Sequence, residues 1–261
     1  MNHLELKTTV SVLGLHGWAE SLPASGSFAA FHQAVLEVFA SSGISVTYFA
    51  AEGKGYSGEL VPTSGSSYKK LRSSNCQGVS VLSLVANPTD SDEPAFDGFA
   101  TASLSYLEPT QDITLCLAIN EGFMPFGGNH YHAAMVRLAS VFPWFGGYGF
   151  ADTVVRRPDL FVVGLDSGKL SATELKRLRA WYLATPQRRM QGLRDVYRWN
   201  LVTEGLLSHQ LDGRLSLRSF IAENAGRIER LPGDGLYLWC VEEPHLSEAQ
   251  ARLQKAGLIV E

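Results

Sequence analysis

Two apolar segments joined by a short polar connection set the strongest constraint on the fold. Phe99–Leu107 and Ile113–Ile119 have the length and composition of buried strands, and only residues 108–112 separate them. Because so short a connection cannot carry the chain across a sheet, the two strands are expected to be antiparallel neighbours in a hairpin. This argues against a doubly wound parallel sheet, in which helices connect successive strands.

The chain before residue 166 is rich in strand patterns. Between its strands, Phe28, Phe31, Val35 and Phe39 recur at helical spacing after Ser27, which predicts a helix with Ser27 as its N-cap. A short helix is also predicted over 131–141. Besides the hairpin, strands are predicted over residues 4–12, 44–50, 79–85 and 160–165.

The sequence after residue 165 predicts mainly helices. Ser171 and Glu174 have the spacing of a capping box, and Pro186 is expected to end the helix that they begin. Further elements are predicted as helices over 187–208, 216–224 and 247–257 and as a strand over 236–241. Strands followed by helices, with hairpins, predict the α+β class.

The prediction is thus a mixed, largely antiparallel sheet with flanking helices, strand-rich in its N-terminal half and helix-rich in its C-terminal half. The 261 residues are expected to form a single compact domain. Two closely packed subdomains, a strand-rich unit over 1–165 and a helix-rich unit over 166–261, are the alternative.

Composition excludes several classes of protein. With 45 % hydrophobic and 18 % charged residues the chain is not globally disordered, and a net charge of −4 argues against a dedicated nucleic-acid binder. No apolar run is long enough for a membrane span, and the N-terminus lacks a signal-peptide pattern. The three cysteines, an odd number at wide spacing, fit a reducing cytoplasm, with Cys76 expected to be the exposed thiol.

The known catalytic and cofactor motifs are absent or incomplete. Gly53–Gly58 matches G-x-G-x-x-G, but Pro62 argues against the helix that a dinucleotide site needs, and no Walker or G-x-S-x-G sequence occurs. His130 and His132 lack a further metal ligand nearby. No cofactor and no metal are therefore expected, and no catalytic residue is assigned.

A hydrolase remains the alternative function. Its acids or bases would be side chains that follow predicted strands, where catalytic groups often lie; the candidates are Glu52, Glu121 and His130. Its expected signature is a deep pocket that contains several of these groups with perturbed pKa values.

Aromatic residues and glycines alternate over residues 142–150, a segment not expected to be regular secondary structure throughout. Trp144, Phe145 and Tyr148 are candidates for a binding surface, because aromatic side chains are enriched in interface hot spots. A local core under a long loop is an equally good interpretation.

The layout resembles a family of bacterial immunity proteins from polymorphic toxin systems. The resemblance is carried by the strand-to-glycine segment 48–53, the aromatic–glycine segment 142–150, and the tail, with 235–239, a capped helix from Ser247 and 257–260. Members of this family neutralise toxins that have a restriction-endonuclease-like nuclease domain. The resemblance implies an α+β fold, no catalytic activity, and a cytoplasmic protein whose partner is a toxin, such as a nuclease effector of a type VI secretion system.

Charge is unevenly distributed, at −7 over residues 1–125 and +5 over 166–230. An acidic surface on an inhibitor can dock on a basic nuclease with fast association, whereas two solvated faces are the simpler interpretation. The candidate toxin-binding acids are Asp90, Asp92, Glu93 and Asp97. A structural subunit of a larger assembly is a third alternative, and it predicts an extensive exposed apolar patch.

Overall fold

The computed structural model describes residues 8–86, 100–211, 213, 215–224, 226–232 and 235–261. The strands are β1 (Thr9–Trp18), β2 (Tyr48–Gly53), β3 (Tyr56–Ser57), β4 (Val61–Pro62), β5 (Val79–Ala86), β6 (Ala100–Leu107), β7 (Asp112–Asn120), β8 (Trp144–Thr153), β9 (Trp199–Thr203), β10 (Arg227–Arg230) and β11 (Leu236–Cys240). The helices are α1 (Ser25–Ser41), α2 (Ser66–Ser73), α3 (Asn129–Ala139), α4 (Pro158–Val162), α5 (Ala172–Leu183), α6 (Pro186–Met190), α7 (Glu204–Leu207), α8 (Leu217–Asn224) and α9 (Leu246–Lys255).

All of these strands belong to one sheet. Their order is β10-β11-β9-β8-β1-β7-β6-β5-β2-β3, and β4 also pairs with β2. Each pair of strands is antiparallel, including β6 and β7, where Leu107 lies opposite Asp112. The structure confirms both the hairpin and the α+β class with a largely antiparallel sheet.

The central strand β1 is buried on both faces, so it is more enclosed than the half-buried strand predicted over 4–12. Leu13 and Leu15 pack in one core with α1 and α3, whereas Val10 and Val12 pack in another with α4. Successive side chains of a strand point to opposite faces, which places the helices on both sides of the sheet. A third core, around Trp239, joins α8 and α9 to the C-terminal strands.

The helix ends test the capping predictions. Ser171 and Glu174 form the capping box at α5: the Glu174 N–H donates to Ser171 Oγ (3.2 Å), and the Ser171 N–H donates to Glu174 Oε2 (2.8 Å). By contrast, α1 begins at Ser25 without a side-chain cap, two residues before the predicted N-cap Ser27. Helix α9 begins at Leu246, also without one.

One strand was not predicted, and two predictions of local structure are wrong. The aromatic–glycine segment lies largely in the regular strand β8. The strand predicted over 160–165 is instead the end of α4 and a turn, because Pro158 at the first helical position and Asp159 in the first turn favour a helix start. The helix predicted over 187–208 is divided into α6, the buried strand β9 and the single turn α7.

Both halves of the chain contribute to the sheet. Strand β8 from the N-terminal half pairs with β9 from the C-terminal half, and β9 pairs with β11, which pairs with β10. The described residues of 166–261 therefore supply three strands as well as helices. No helix in the described ranges has the length and apolar character needed to cross a membrane.

The expectation that Cys76 is exposed is wrong. Its side chain is buried, and its pKa is raised to about 11 by burial. Cys116 is also buried, and Cys240 is half-buried.

Candidate binding groove

The predicted binding residues are distributed between the core and a part of the chain that is not described. Asp90, Asp92, Glu93 and Asp97 lie outside the described residues. Trp144 is buried and donates its indole N–H to the Leu138 carbonyl (3.1 Å).

The other two aromatic candidates lie on the same strand. Tyr148 is buried and stacks on Tyr197, with 4.4 Å between ring centroids, whereas Phe145 is half-buried near Trp181. Trp144 and Tyr148 therefore pack in the core, which was the alternative interpretation of the segment. Of the three, Phe145 is the one with substantial exposed surface.

A buried polar cluster lies beneath Tyr148. Arg194 is 2 % exposed, donates from Nη1 to the Tyr148 hydroxyl (2.5 Å), and places its guanidinium 3.7 Å from the centre of the Phe161 ring. His16 packs between the rings of Tyr148 and Trp181. Burial, together with the charges of Arg194 and Arg189, lowers the pKa of His16 to about 3. His16 is therefore neutral in the folded protein at neutral pH.

This buried histidine predicts acid sensitivity. Below the ordinary pKa of 6.5 the unfolded chain binds a proton at His16 that the folded state excludes. The free energy of unfolding is therefore at its full value above pH 6.5 and falls as the pH drops towards 3. The expected loss from this one group is about 1.4 kcal/mol per pH unit inside that window, or about 2 kcal/mol between pH 6.5 and 5. Urea unfolding at a series of pH values measures it.

In the variant His16→Gln, the free energy of unfolding is expected to fall less steeply with decreasing pH, by the amount that His16 contributes. His130→Gln, which removes an exposed histidine, is the control. Equal slopes in His16→Gln and the wild type would contradict a neutral buried His16.

The residues proposed for a hydrolase lie in different parts of the fold. Glu52 is exposed on β2, and Glu121 follows β7, three strand positions away in the sheet. At about 4.8 Å between neighbouring strands, the distance across the sheet alone is roughly 14 Å. Glu52 lies level with Thr114 of β7, so Glu121 is also displaced along the strand. His130 is exposed at the start of α3.

The other motifs also have structural explanations. The G-x-G-x-x-G segment forms the β2–β3 hairpin, with Gly53 opposite Tyr56, rather than a strand-to-helix turn. His132 lies on α3 with its Nε2 3.1 Å from Glu229 Oε2. In the ranges that the structure describes, no three His, Cys, Asp or Glu side chains come together as metal ligands would.

A groove of about 730 Å³ opens where β9 and β10 begin and β11 ends. Its floor is a row of cross-strand neighbours, in which Trp199 lies opposite Cys240 and Cys240 lies opposite Arg227. Phe126 and Ile221 of α8 also line it. Sequence reasoning missed this groove, because its residues come from segments that are distant along the chain.

A glycine also lines the groove. Gly226 has φ of +112°, and a Cβ at this position would lie 1.9 Å from the Cys240 carbonyl oxygen. The chain can therefore leave α8 and enter β10 in direct contact with β11 only because residue 226 has no side chain.

Charges of both signs line the groove. Arg198 is exposed, lies over the Phe126 ring, and has its Nε 3.5 Å from Glu243 Oε2. Both members of that ion pair are more than half exposed, so solvent screens it and its contribution is small. Arg227 and three glutamates complete the charged lining, at positions Glu223, Glu242 and Glu248. The groove is therefore an open surface lined by charged side chains and by the aromatic residues Phe126 and Trp199.

The chain is thus an α+β protein with one extended antiparallel sheet and an open, charged groove at one end. No protein-family model matches the chain, and no curated protein matches its sequence. A solved structure of a Pseudomonas aeruginosa T6SS (type VI secretion system) protein, PA0821, is similar, with a TM-score of 0.62 and 12 % sequence identity. The similarity covers 97 % of this chain and 74 % of that protein. At this identity, the comparison shows a shared fold.

Proposed function

We propose that this chain is a cytoplasmic immunity protein that binds and neutralises a cognate toxin delivered by a type VI secretion system, and that the toxin is a nuclease effector. The observation that carries the proposal is the likeness in fold to a T6SS protein over 97 % of the chain. The resemblance of the sequence to toxin-immunity proteins supports the same biological setting.

In this proposal the chain acts by protein–protein binding and not by catalysis. The groove supports this mode, because exposed side chains of both charges line it together with aromatic residues, as in many protein interfaces. The acids Asp90, Asp92, Glu93 and Asp97 stay candidates for contact with a basic nuclease surface.

Co-expression with the product of the neighbouring gene tests the function. If that product is the toxin, its expression alone is expected to reduce viable counts, and co-expression of this chain is expected to restore them by at least a hundredfold. The purified proteins are expected to form a complex with a Kd below about 1 μM, which corresponds to about −8 kcal/mol. Isothermal titration calorimetry measures the affinity.

The class of toxin is tested separately. Degradation of chromosomal DNA by the toxin alone, and its prevention by this chain, are expected for a nuclease effector. Protection without any nucleic-acid cleavage by the toxin would overturn the nuclease assignment but not neutralisation. Absence of both a complex and protection would overturn the proposed function.

A further inference from the structure

Strand β10 is an edge of the sheet. In the described part of the chain it pairs with β11 on one side and with no strand on the other. Its four residues read Arg-Ile-Glu-Arg, and all except Ile228 are exposed. An exposed edge carries unpaired main-chain groups, which a strand from another protein can satisfy.

The register shows which main-chain groups point away from β11. The Leu231 N–H donates to the Leu236 carbonyl at 3.0 Å, which makes these two residues a hydrogen-bonded pair. In an antiparallel ladder such pairs alternate with non-bonded ones, so Ile228 and Arg230, opposite Trp239 and Tyr237, are in non-bonded pairs. Their N–H and C=O groups therefore point away from β11, and no strand among the described residues pairs with these two donors and two acceptors.

The groove lies next to this edge, at the end of the sheet where β10 begins. Arg227 belongs both to β10 and to the groove lining, and it is in the same cross-strand row as Cys240 and Trp199. The opposite face of β10 packs against α8, with Ile228 in the core that contains Trp239. A strand added beside β10 would therefore extend the groove floor and place alternate side chains next to it.

The charge of Arg227 indicates which type of side chain an added strand would place opposite it. On the groove face of β10 the next residue is Glu229, whose carboxylate lies against His132. Arg227 is exposed, and opposite charges on directly opposed residues of neighbouring strands attract. An acidic side chain at that position fits this surface.

We propose that β10 accepts an extended segment of the toxin as an additional strand of the sheet, with an acidic side chain of that segment beside Arg227. This inference rests on the proposed function, since it names the surface through which the chain binds its toxin. Main-chain hydrogen bonds to Ile228 and Arg230 hold the segment, and the groove provides the side-chain contacts.

A proline substitution tests strand addition directly. Arg230→Pro removes one outward N–H but no hydrogen bond to β11, and an edge strand tolerates proline at such a position. It is expected to raise the Kd for the purified product of the neighbouring gene at least tenfold. Arg230→Ala loses the same side chain and keeps the N–H, so its Kd is expected to change less than threefold. Calorimetry measures affinity, and thermal unfolding checks that both variants fold.

Two further measurements need no proline. Arg227→Glu is expected to weaken binding at least tenfold, and Arg227→Lys much less. In the wild-type protein, hydrogen exchange at the amides of Ile228 and Arg230 is expected to slow when the partner binds. Three results would overturn strand addition while the proposed function stands. They are wild-type affinity in Arg230→Pro, equal losses of affinity in Arg230→Pro and Arg230→Ala, and unchanged hydrogen exchange at both amides. If the wild-type chain neither binds nor protects, both are overturned.

Discussion

Replacing Arg189 by alanine is expected to lower the free energy of unfolding by about 3–5 kcal/mol. Arg189 of α6 donates from Nη2 to Asp112 Oδ1 at 2.5 Å, and the two side chains are 3 % and 5 % exposed. Asp112 is the first residue of β7, so the pair joins the helix to the sheet. Without Arg189 the Asp112 carboxylate is buried and has lost its ion-pair partner, and the cost of burying that charge appears as lost stability.

Exposed ion pairs provide the control. Arg218 binds Glu204 at 2.7 Å, but these side chains are 43 % and 52 % exposed, so Arg218→Ala is expected to cost less than about 1 kcal/mol. Replacing both buried partners, as Asp112→Leu with Arg189→Met, is expected to recover most of the loss because no buried charge remains. Urea unfolding compares the variants. A cost for Arg189→Ala no larger than that for Arg218→Ala would contradict this account.

Sequence reasoning succeeded where structure depends on neighbouring residues. The β6–β7 hairpin was predictable because only a few residues separate two strands. The capping box at Ser171 and Glu174 was predictable for the same reason: its hydrogen bonds join residues three positions apart.

Sequence reasoning failed where the structure of a segment depends on its neighbours in the sheet. Residues 199–203 were predicted within a helix, yet they form β9, because Trp199 and Leu201 complete a core between β8 and β11. Strand β8 was missed because its aromatic–glycine sequence suits a strand only beside β1. Pairings between segments so far apart in sequence leave no local signal.

The candidate site was harder to predict than the fold. Trp144 and Tyr148 were chosen for their aromatic character, which is equally typical of a core, and burial cannot be read from residue type alone. The groove depends on the order of strands in the sheet, since Trp199 and Arg227 become neighbours of Cys240 only through β11. Because the order of strands could not be read from the sequence, the groove could not be predicted from it.

Gly147→Ala is expected to destabilise the protein by about 3 kcal/mol, at the upper end of the usual cost of overpacking. A Cβ at residue 147 would lie 2.5 Å from the Gly14 carbonyl oxygen and 2.7 Å from Leu15 Cδ2. The first contact is a main-chain atom of β1, which cannot move without disturbing its pairing with β7 and β8. The central strands can therefore approach this closely only because β8 has glycine here.

The adjacent residue offers a matched control on the same strand. A Cβ at Gly146 would meet its nearest atom, the Leu201 carbonyl oxygen, at 3.4 Å, which is an ordinary contact distance. Gly146→Ala is therefore expected to change stability by less than about 1 kcal/mol, because any strain is offset by reduced freedom of the unfolded chain. Thermal and urea unfolding of both variants measure the difference. Equal stability of the two would show that β1 and β8 are not packed as closely at Gly147 as this structure requires.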